Sequence, residues 1–361
     1  MQKKILRTTL KGVFGELFKQ PWPLASPGQS GVELPFDFRY ANSKIGKDAA
    51  QKLVDMFRQS TMIVNLDLSG IGKSHVLTQL AVQKKAYVLY YDCGKLRSLE
   101  DKIEGLIIQE PLNSIEDYEQ LAMKLERLLY SHTLAHTLAL LHQIKTHQVE
   151  PVHFLRYLET TACTTLPFVT ERLLKILNMT SMKDLKQQAI DEIRSLTNLN
   201  VVEAWDEAAT LTEWAENMIP FSKSVRNKVS EIDPSGKKHL INGGSAFTVA
   251  CRIAADDASF TIFSGTALRL LDVETNVCGS LKLGRVKFTT DSKMLRPWNS
   301  IQVSASLKED FKINQKISPD TLANIEYNLQ GRARLTSKFK MALYKLLRAE
   351  PKMDLDVAFN R

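Results

Sequence analysis

The first third of the chain alternates short apolar runs with helical patterns. The segment AAQKLVDMFRQ has the amphipathic spacing of a short helix, and the apolar, β-branched run TMIVNLDL at residues 61–68 predicts a buried strand. Next come the glycine-containing segment SGIGKS, the helical pattern SHVLTQLAVQK and a second apolar run, AYVLYYD, which ends at Asp92. The order strand, glycine loop, helix, strand predicts a βαβ unit and therefore a parallel sheet.

The middle of the chain has the leucine spacing of helices. Within residues 100–196, SIED (114–117) and SMKD (181–184) carry capping signals. Leucines recur at helical spacing at 121, 125, 128 and 129 and again at 134, 138 and 141. The length of this stretch predicts roughly three to five helices, inserted after the second strand.

Strand patterns return in the last part of the chain. LNVVEAWDEA (199–208) and ASFTIFSGT (258–266) predict two strands, and GRVKFTT and SIQVSAS suggest two more. The later segment RLTSKFKMALYKLLRAE predicts a basic amphipathic helix with one apolar face, formed by Leu335, Phe339, Leu343 and Leu346.

Composition divides the chain into three parts. Pro, Gly and Ser are concentrated in PWPLASPGQSGVELP, which predicts a linker that ends an N-terminal arm at residues 1–35. Residues 36–330 then form the main domain, with the helical insertion at 101–198, and residues 331–361 form an arginine motif and the basic helix. No apolar stretch approaches the ~18–20 residues of a membrane span, so no membrane association is expected.

Charge and cysteine usage narrow the class of protein. The net charge of +8 permits a polyanionic partner such as DNA or RNA, although a mildly basic solvated surface explains it equally well. The cysteines form no CxxC pair, which predicts an intracellular protein in a reducing compartment: they are Cys93, Cys163, Cys251 and Cys278.

The glycine segment has the composition of a phosphate-binding loop. Such a loop needs backbone N–H groups at a helix N-terminus, a lysine for the β- and γ-phosphates and a hydroxyl for Mg²⁺. A segment between a predicted strand and a predicted helix supplies all three. The residues predicted to bind a nucleotide are Ser69, Gly70, Ile71, Gly72, Lys73, Ser74 and His75, with Lys73 also acting in catalysis.

Asp67 departs from the common form of this loop, which has glycine at that position. The substitution is harmless if the carboxylate points away from the phosphates, and it weakens binding by like-charge repulsion if the carboxylate points toward them. The sequence leaves both possibilities open, and the second favours a nucleotide switch that does not hydrolyse.

Two consecutive acids follow a predicted strand. In VVEAWDEA, Asp206 is predicted to hold Mg²⁺ together with Ser74, and Glu207 is predicted to activate water as a general base. The alternative is an ordinary surface turn that starts the next helix.

Two further motifs offer groups for the γ-phosphate. The strand ending in Ser264, Gly265 and Thr266 could place the Thr266 hydroxyl near the phosphate, and Arg332 and Arg334 could clamp it, with Arg334 stabilising charge in the transition state. The alternatives are a plain strand-to-turn junction and a pair of surface arginines.

Five histidines lie close together in the helical stretch. His132 and His136 have the i, i+4 spacing of zinc ligands, but HTLAH lacks the glutamate of H-E-x-x-H, and no cysteine or acid at metal spacing joins them. They are therefore predicted to be solvated helix positions.

The last predicted helix and the residues just after it carry several basic side chains. Lys338, Lys345 and Lys352 recur every seven residues and form one stripe, beside the nearby Lys340 and Arg348. A solvated face is one interpretation, and contact with nucleic-acid phosphates is the other.

The order of these motifs resembles the P-loop ATPase module of Crinkler-type effectors and the related retrotransposon hot-spot proteins. The residues that carry the resemblance are SGIGKS, the strand ending in YYD, the helical insertion, the strands ending in DEA and SGT, and NLQGRARLTSKF, over residues 36–347. Asp67 replaces a small residue, and Ala333 stands where the arginine motif often has proline.

The resemblance implies an α/β P-loop NTPase of the type with an added strand and a catalytic glutamate. It also implies an effector role, a nuclear location and, by family analogy, secretion into a host cell. Together with the motifs, it predicts Mg²⁺-dependent ATP binding and hydrolysis, coupled to nucleic acid or to a protein partner. The alternatives are a non-hydrolysing nucleotide switch and a nucleic-acid-binding effector module; no motif selects ATP over GTP.

Overall fold

The computed structural model describes the chain in segments: residues 44–66, 73–110, 112–158, 163–221, 228–229, 240–241, 243–256, 259–265, 288–290, 318–329, 333–350 and 357–358, and positions 301, 303, 305 and 307. The predicted N-terminal arm and linker lie outside these residues. So do residues 67–72, which contain Asp67 and most of the predicted phosphate-binding loop.

A five-stranded parallel sheet forms the centre of the fold. Its strands are β1 (Met62–Leu66), β2 (Ala86–Asp92), β3 (Asn200–Asp206), β6 (Phe260–Gly265) and β7 (Phe288–Thr290), in the order β2-β3-β6-β1-β7. Two short strands, β4 (Lys228–Val229) and β5 (Leu240–Ile241), pair antiparallel outside this sheet. The predicted parallel α/β class is confirmed, and the strand suggested by GRVKFTT is β7.

Helices flank the sheet and fill the predicted insertion. Before and after β1 lie α1 (Lys44–Phe57) and α2 (Lys73–Val82). Between β2 and β3, the described residues form five α-helices: α3 (Arg97–Gln109), α4 (Ile115–His147), α5 (Pro151–Tyr157), α6 (Cys163–Ile176) and α7 (Met179–Thr197). The later helices are α8 (Thr210–Glu213), α9 (Ala246–Asp256), α10 (Pro319–Leu329) and α11 (Ala333–Ala349).

One of the two predicted helix caps is present and the other is displaced. Ser114 caps α4, since its hydroxyl accepts the Asp117 N–H and the Asp117 carboxylate accepts the Ser114 N–H at 2.9 Å. The prediction of a cap at Ser181 was wrong, because α7 begins three residues earlier. The side chain of Asn178 caps it by accepting the Ser181 N–H at 2.8 Å, and asparagine is among the strongest N-cap residues.

The prediction of a strand at SIQVSAS was also wrong, because positions 301, 303, 305 and 307 are helical. Val303 and Leu307 are fully buried, whereas Ile301 is exposed. An alternating pattern contains pairs four residues apart, and such pairs share one face of a helix.

The sheet is buried on both faces, which explains the nearly continuous apolar strands. On one face, Ile63, Val202 and Ile262 pack against α1 and α2. On the other face, Trp205 and Phe263 pack against α4, α7 and α9. Because successive residues of a strand point to opposite faces, β3 contributes to both halves of the core.

A buried ion pair joins the helical insertion to β3. Lys186 of α7 lies with its Nζ 2.6 Å from Glu203 Oε1, and the side chains are 0% and 1% exposed. The same ammonium donates to Thr133 Oγ1 of α4 at 2.8 Å and lies 4.9 Å from the ring centroid of Tyr130. The pair thus ties two insertion helices to the strand that ends at Asp206.

Within the described residues, no helix is long and apolar enough to cross a membrane, and this includes the 33-residue α4.

Candidate nucleotide-binding site

The end of β1 and the beginning of α2 frame the predicted phosphate-binding loop. β1 ends at Leu66 and α2 begins at Lys73, so Ser69, Gly70, Ile71 and Gly72 fall in the segment outside the described residues. The Lys73 backbone begins the helix, and the Lys73 side chain is not described. Ser74 and His75 follow in the first turn, where the helix dipole and unpaired N–H groups favour an anion.

Ser74 and Asp206, the two residues predicted to hold Mg²⁺, lie in direct contact. Ser74 Oγ donates a hydrogen bond of 2.5 Å to Asp206 Oδ2, and Asp206 is 3% exposed. They meet because β1 and β3 are parallel and end at the same edge of the sheet, while α2 starts just beyond that edge. This hydrogen bond therefore links the start of α2 to the end of β3.

Tyr90 is a further hydrogen-bond donor to the Asp206 carboxylate, and it was not identified from the sequence alone. Its hydroxyl donates to Asp206 Oδ2 at 2.6 Å, while the backbone N–H of Glu207 donates to Oδ1 at 3.1 Å. Tyr90 pairs with Ala204, and Asp92 pairs with Asp206, in the register of β2 and β3. The YYD ending could have indicated the tyrosine, but only this register places it beside Asp206.

Burial and negative charge keep nearby acidic groups protonated. Burial, reinforced by the charge of Asp206, raises the pKa of the Tyr90 phenol, which therefore remains a donor to the carboxylate. Burial and the charges of Asp206 and Asp92 likewise raise the pKa of the Cys93 thiol well above its ordinary value. Cys93 is thus a packed thiol and not a nucleophile.

Glu207, the predicted general base, occupies a constrained turn. Its backbone has a φ of 51°, in the left-handed region, and its side chain is partly buried. The next residue, Ala208, donates its N–H to the carbonyl of Ser264 at 2.8 Å, which anchors the turn to β6. A left-handed backbone in a residue other than glycine costs of order 1–3 kcal/mol and is concentrated at functional sites.

The end of β6 brings a second hydroxyl to this edge of the sheet. Ser264 lies one residue beyond Phe263, just as Asp206 lies one residue beyond Trp205, and Trp205 and Phe263 pair across the strands. Ser264 is fully buried, and its Oγ has no hydrogen-bond partner among the described residues. Thr266, the residue predicted to contact the phosphate, lies outside those residues.

The arginine motif is described only in part. Arg332 lies outside the described residues, and Arg334 is placed in the first turn of α11 without a described side chain. Their roles at the γ-phosphate therefore stay predictions. Further along α11, Lys338 and Lys345 are exposed as a solvated face requires, but Lys340 is 3% exposed, so that interpretation was wrong for Lys340.

The described side chains fit a hydrated Mg²⁺ that is shared with phosphate. Mg²⁺ prefers oxygen ligands and is usually held by one or two protein groups together with phosphates and water. The Ser74 hydroxyl and the Asp206 carboxylate are such groups, and they already touch. Among the described residues, no group of three or more His, Cys, Asp or Glu side chains could hold a metal without other ligands.

The prediction that His132 and His136 are solvated was wrong. Each is 7% exposed, and their rings lie 4.5 Å apart, beside the ring of Tyr91 on β2. They lie on the face of α4 that packs against the sheet, so the i, i+4 spacing reflects packing. Burial lowers the pKa of His136 to about 4 and that of His132 well below its ordinary value.

Comparison with solved structures shows distant likeness to known proteins. A solved structure of a Walker-type ATPase from Pyrococcus abyssi matches with 13% sequence identity and a TM-score of 0.45, over 85% of this chain and 71% of that chain. No family model matches the sequence, and no curated protein matches it.

Proposed function

We propose that this chain binds ATP with Mg²⁺ and hydrolyses it. The observation that carries the proposal is the 2.5 Å contact between Ser74 Oγ, at the start of α2, and Asp206, at the end of β3. P-loop enzymes hold a phosphate-bound Mg²⁺ with a hydroxyl at the start of the helix after the glycine loop and a carboxylate at the end of a strand of the same sheet.

The sheet order supports the type with an added strand and a catalytic glutamate. β6 lies between β1 and β3, so one strand separates the strand before the glycine loop from the strand that ends in the acids. The constrained turn at Glu207 supports its role as the base, because it follows Asp206 directly and is anchored to β6.

In this mechanism each protein group has a separate role at the γ-phosphate. Lys73 neutralises charge on the β- and γ-phosphates. Ser74 and Asp206 would hold Mg²⁺, which when bound would withdraw charge from the phosphate oxygens. A water oxygen attacks the γ-phosphorus, the bond to the β–γ bridging oxygen breaks, and Glu207 takes the proton of the water. Thr266 and Arg332 contact the phosphate, and Arg334 stabilises the charge that develops.

The motif order supports the further proposal that the chain is a Crinkler-like module acting with nucleic acid or a protein partner. Lys338 and Lys345 are exposed on α11, and we assign phosphate contacts with nucleic acid to them.

Titration with Mg-ATP, followed by measurement of phosphate release with and without DNA, tests these functions. Lys73→Ala should weaken ATP binding by at least about tenfold, since a hydrogen bond to a charged phosphate contributes roughly 1.5–3 kcal/mol of binding free energy. Lys85→Ala, which removes an exposed lysine just after α2, is the matched control.

Each alternative function has its own result in this experiment. Unchanged ATP affinity in folded Lys73→Ala protein would refute the P-loop proposal. ATP binding without phosphate release would identify a nucleotide switch. DNA binding without any nucleotide affinity would identify a nucleic-acid-binding module.

A further inference from the structure

A cavity of about 390 Å³ lies beside the candidate nucleotide site, where the edge strand β2 ends. Tyr90 and Asp92 of β2 form one wall, and α3, α4 and the region around α6 form the others. Cavities of roughly 300–1,000 Å³ are the size that proteins use for small organic ligands.

The inner wall of the cavity carries an unsatisfied polar group. His132 and His136 both line it at 7% exposure, and His132 Nε2 has no hydrogen-bond partner among the described residues. A buried polar atom without a partner costs roughly 1–3 kcal/mol, so a native protein normally satisfies it. This nitrogen is closed even to a water-sized probe, so a molecule in the cavity would pair with the other unpartnered positions of the two rings.

The second imidazole has a defined tautomer. His136 Nδ1 lies 2.9 Å from the carbonyl oxygen of His132, and because a carbonyl only accepts, Nδ1 carries the hydrogen. Nε2 of His136 is then a lone-pair acceptor. Burial lowers the pKa of both imidazoles, so both rings are neutral near pH 7, and His136 presents only an acceptor because its N–H is donated to the His132 carbonyl.

The charged residues of the cavity are already paired by the protein. Lys95 lies 2.5 Å from Asp92, and Lys102 lies 3.0 Å from Glu171. An anionic ligand would have to displace these carboxylates, whereas a neutral ligand would not. Leucine side chains, including Leu99 and Leu166, supply apolar surface to the cavity lining.

We propose that this cavity binds a small neutral heteroaromatic molecule with the chemistry of a nucleobase or nucleoside. Its ring would pack against the leucines, and its N–H and ring-nitrogen groups would pair with the imidazole nitrogens of His132 and His136. The remaining hydroxyl groups of a nucleoside would face the polar mouth, where Asp92 and Ser98 lie.

Tyr90 connects the cavity to the candidate nucleotide site, because it lines the cavity and also donates to Asp206 Oδ2 at 2.6 Å. In the sheet, β3 and β6 lie between β2 and β1, which places β2 about 14 Å from β1 at ~4.8 Å per strand. Asp206 ends β3, the strand next to β2, so a metal held by Asp206 would lie beside the strand that lines the cavity. This coupling, unlike the binding itself, rests on the proposed function.

Titration calorimetry with adenosine, guanosine, cytidine and uridine tests the binding site. The full chain is titrated alone and again after saturation with a non-hydrolysable Mg-ATP analogue. We expect at least one nucleoside to bind with a Kd below about 1 mM and to remain bound beside the ATP analogue. Competition with the analogue, or no binding of any of the four, would overturn the proposal.

Two variants locate the site. His136→Phe removes the acceptor, and Ser98→Trp blocks the mouth from an exposed position on α3 where folding is little affected. Each should weaken nucleoside binding at least tenfold, whereas His147→Phe, at the exposed end of α4, should not. Parental affinity in Ser98→Trp would place the ligand elsewhere. Lys73→Ala protein should still bind the nucleoside, so a failure of the ATP proposal remains distinguishable.

Discussion

Ser74 and Asp206 share a hydrogen bond of 2.5 Å although 132 residues separate them in the chain. The whole helical insertion lies between them in sequence, yet both belong to one edge of the parallel sheet. Tyr90 donates to the same carboxylate oxygen, so three separate segments converge on it. This convergence is the basis of the predictions for the candidate site.

Glu207→Gln should separate nucleotide binding from hydrolysis. The amide cannot accept a proton from water, so phosphate release should fall by ~10²–10⁴-fold while ATP affinity stays near the parental value. Glu213→Gln, at an exposed position in α8, is the matched control. A Glu207→Gln protein with the parental rate would mean that the base lies elsewhere.

Tyr90→Phe should impair the use of Mg²⁺. The phenol donates to Asp206 Oδ2, and hydrogen bonds to charged groups are worth roughly 1.5–3 kcal/mol, so the carboxylate loses a group that orients it. We expect the Mg²⁺ concentration for half-maximal ATP binding to rise about tenfold. Tyr87→Phe, which removes a hydroxyl bonded to the Val149 carbonyl on the same strand, should leave it unchanged. Equal Mg²⁺ dependence in both variants would remove Tyr90 from the site.

Lys186→Met should destabilise the protein strongly, because it leaves the Glu203 carboxylate buried without a counter-charge. Breaking such a pair typically costs about 3–5 kcal/mol, and replacing both partners with Met should recover most of that loss. Urea unfolding provides the measurement. Lys84→Met, which breaks an exposed pair with Glu150, should cost less than about 1 kcal/mol. Similar losses in both single variants would contradict the role assigned to the buried pair.

Acid should destabilise the protein through the buried histidines. The pKa of His136 is about 4 in the folded chain, against 6.5 for the free side chain, so the unfolded chain binds more protons between these values. Stability should therefore rise with pH from about 4 to 6.5, and His136 alone should contribute roughly 3 kcal/mol over that range.

Urea midpoints measured across this pH range, for the parent and for His136→Phe, isolate the contribution of His136 from that of the carboxylates. The variant should show a shallower rise with pH. The same slope in both proteins would mean that His136 does not gain a proton on unfolding.

The predicted lysine stripe should affect nucleic-acid binding and leave hydrolysis intact. Lys338 and Lys345 lie on α11, and Lys352 lies outside the described residues. Replacing Lys338, Lys345 and Lys352 with Ala should weaken DNA binding and reduce the salt slope by up to about three units, one for each phosphate contact. A control that replaces the exposed Lys47, Lys85 and Lys175 removes the same charge from other surfaces. If both variants lose affinity equally, α11 is not the DNA-binding face.

The local elements could be predicted from the sequence alone. Apolar periodicity located β2 to the residue, and the polar cap at Ser114 located the start of α4, because both signals depend on neighbouring residues. The same reasoning identified Ser74 and Asp206 as candidates, since a hydroxyl after a glycine loop and an acid after a strand are local patterns. It was less reliable at SIQVSAS, where alternation also satisfies the spacing of a helix.

Only the tertiary structure determined how these elements are arranged relative to one another. Strand order and register are non-local, so no short pattern could place β6 between β1 and β3 or bring Tyr90 to Asp206. The burial of His132, His136 and the Lys186–Glu203 pair also depends on which face of a helix meets the sheet. From sequence alone, a polar residue on a helix is predicted to be exposed to solvent. Whether another element buries it depends on the tertiary packing of the whole chain.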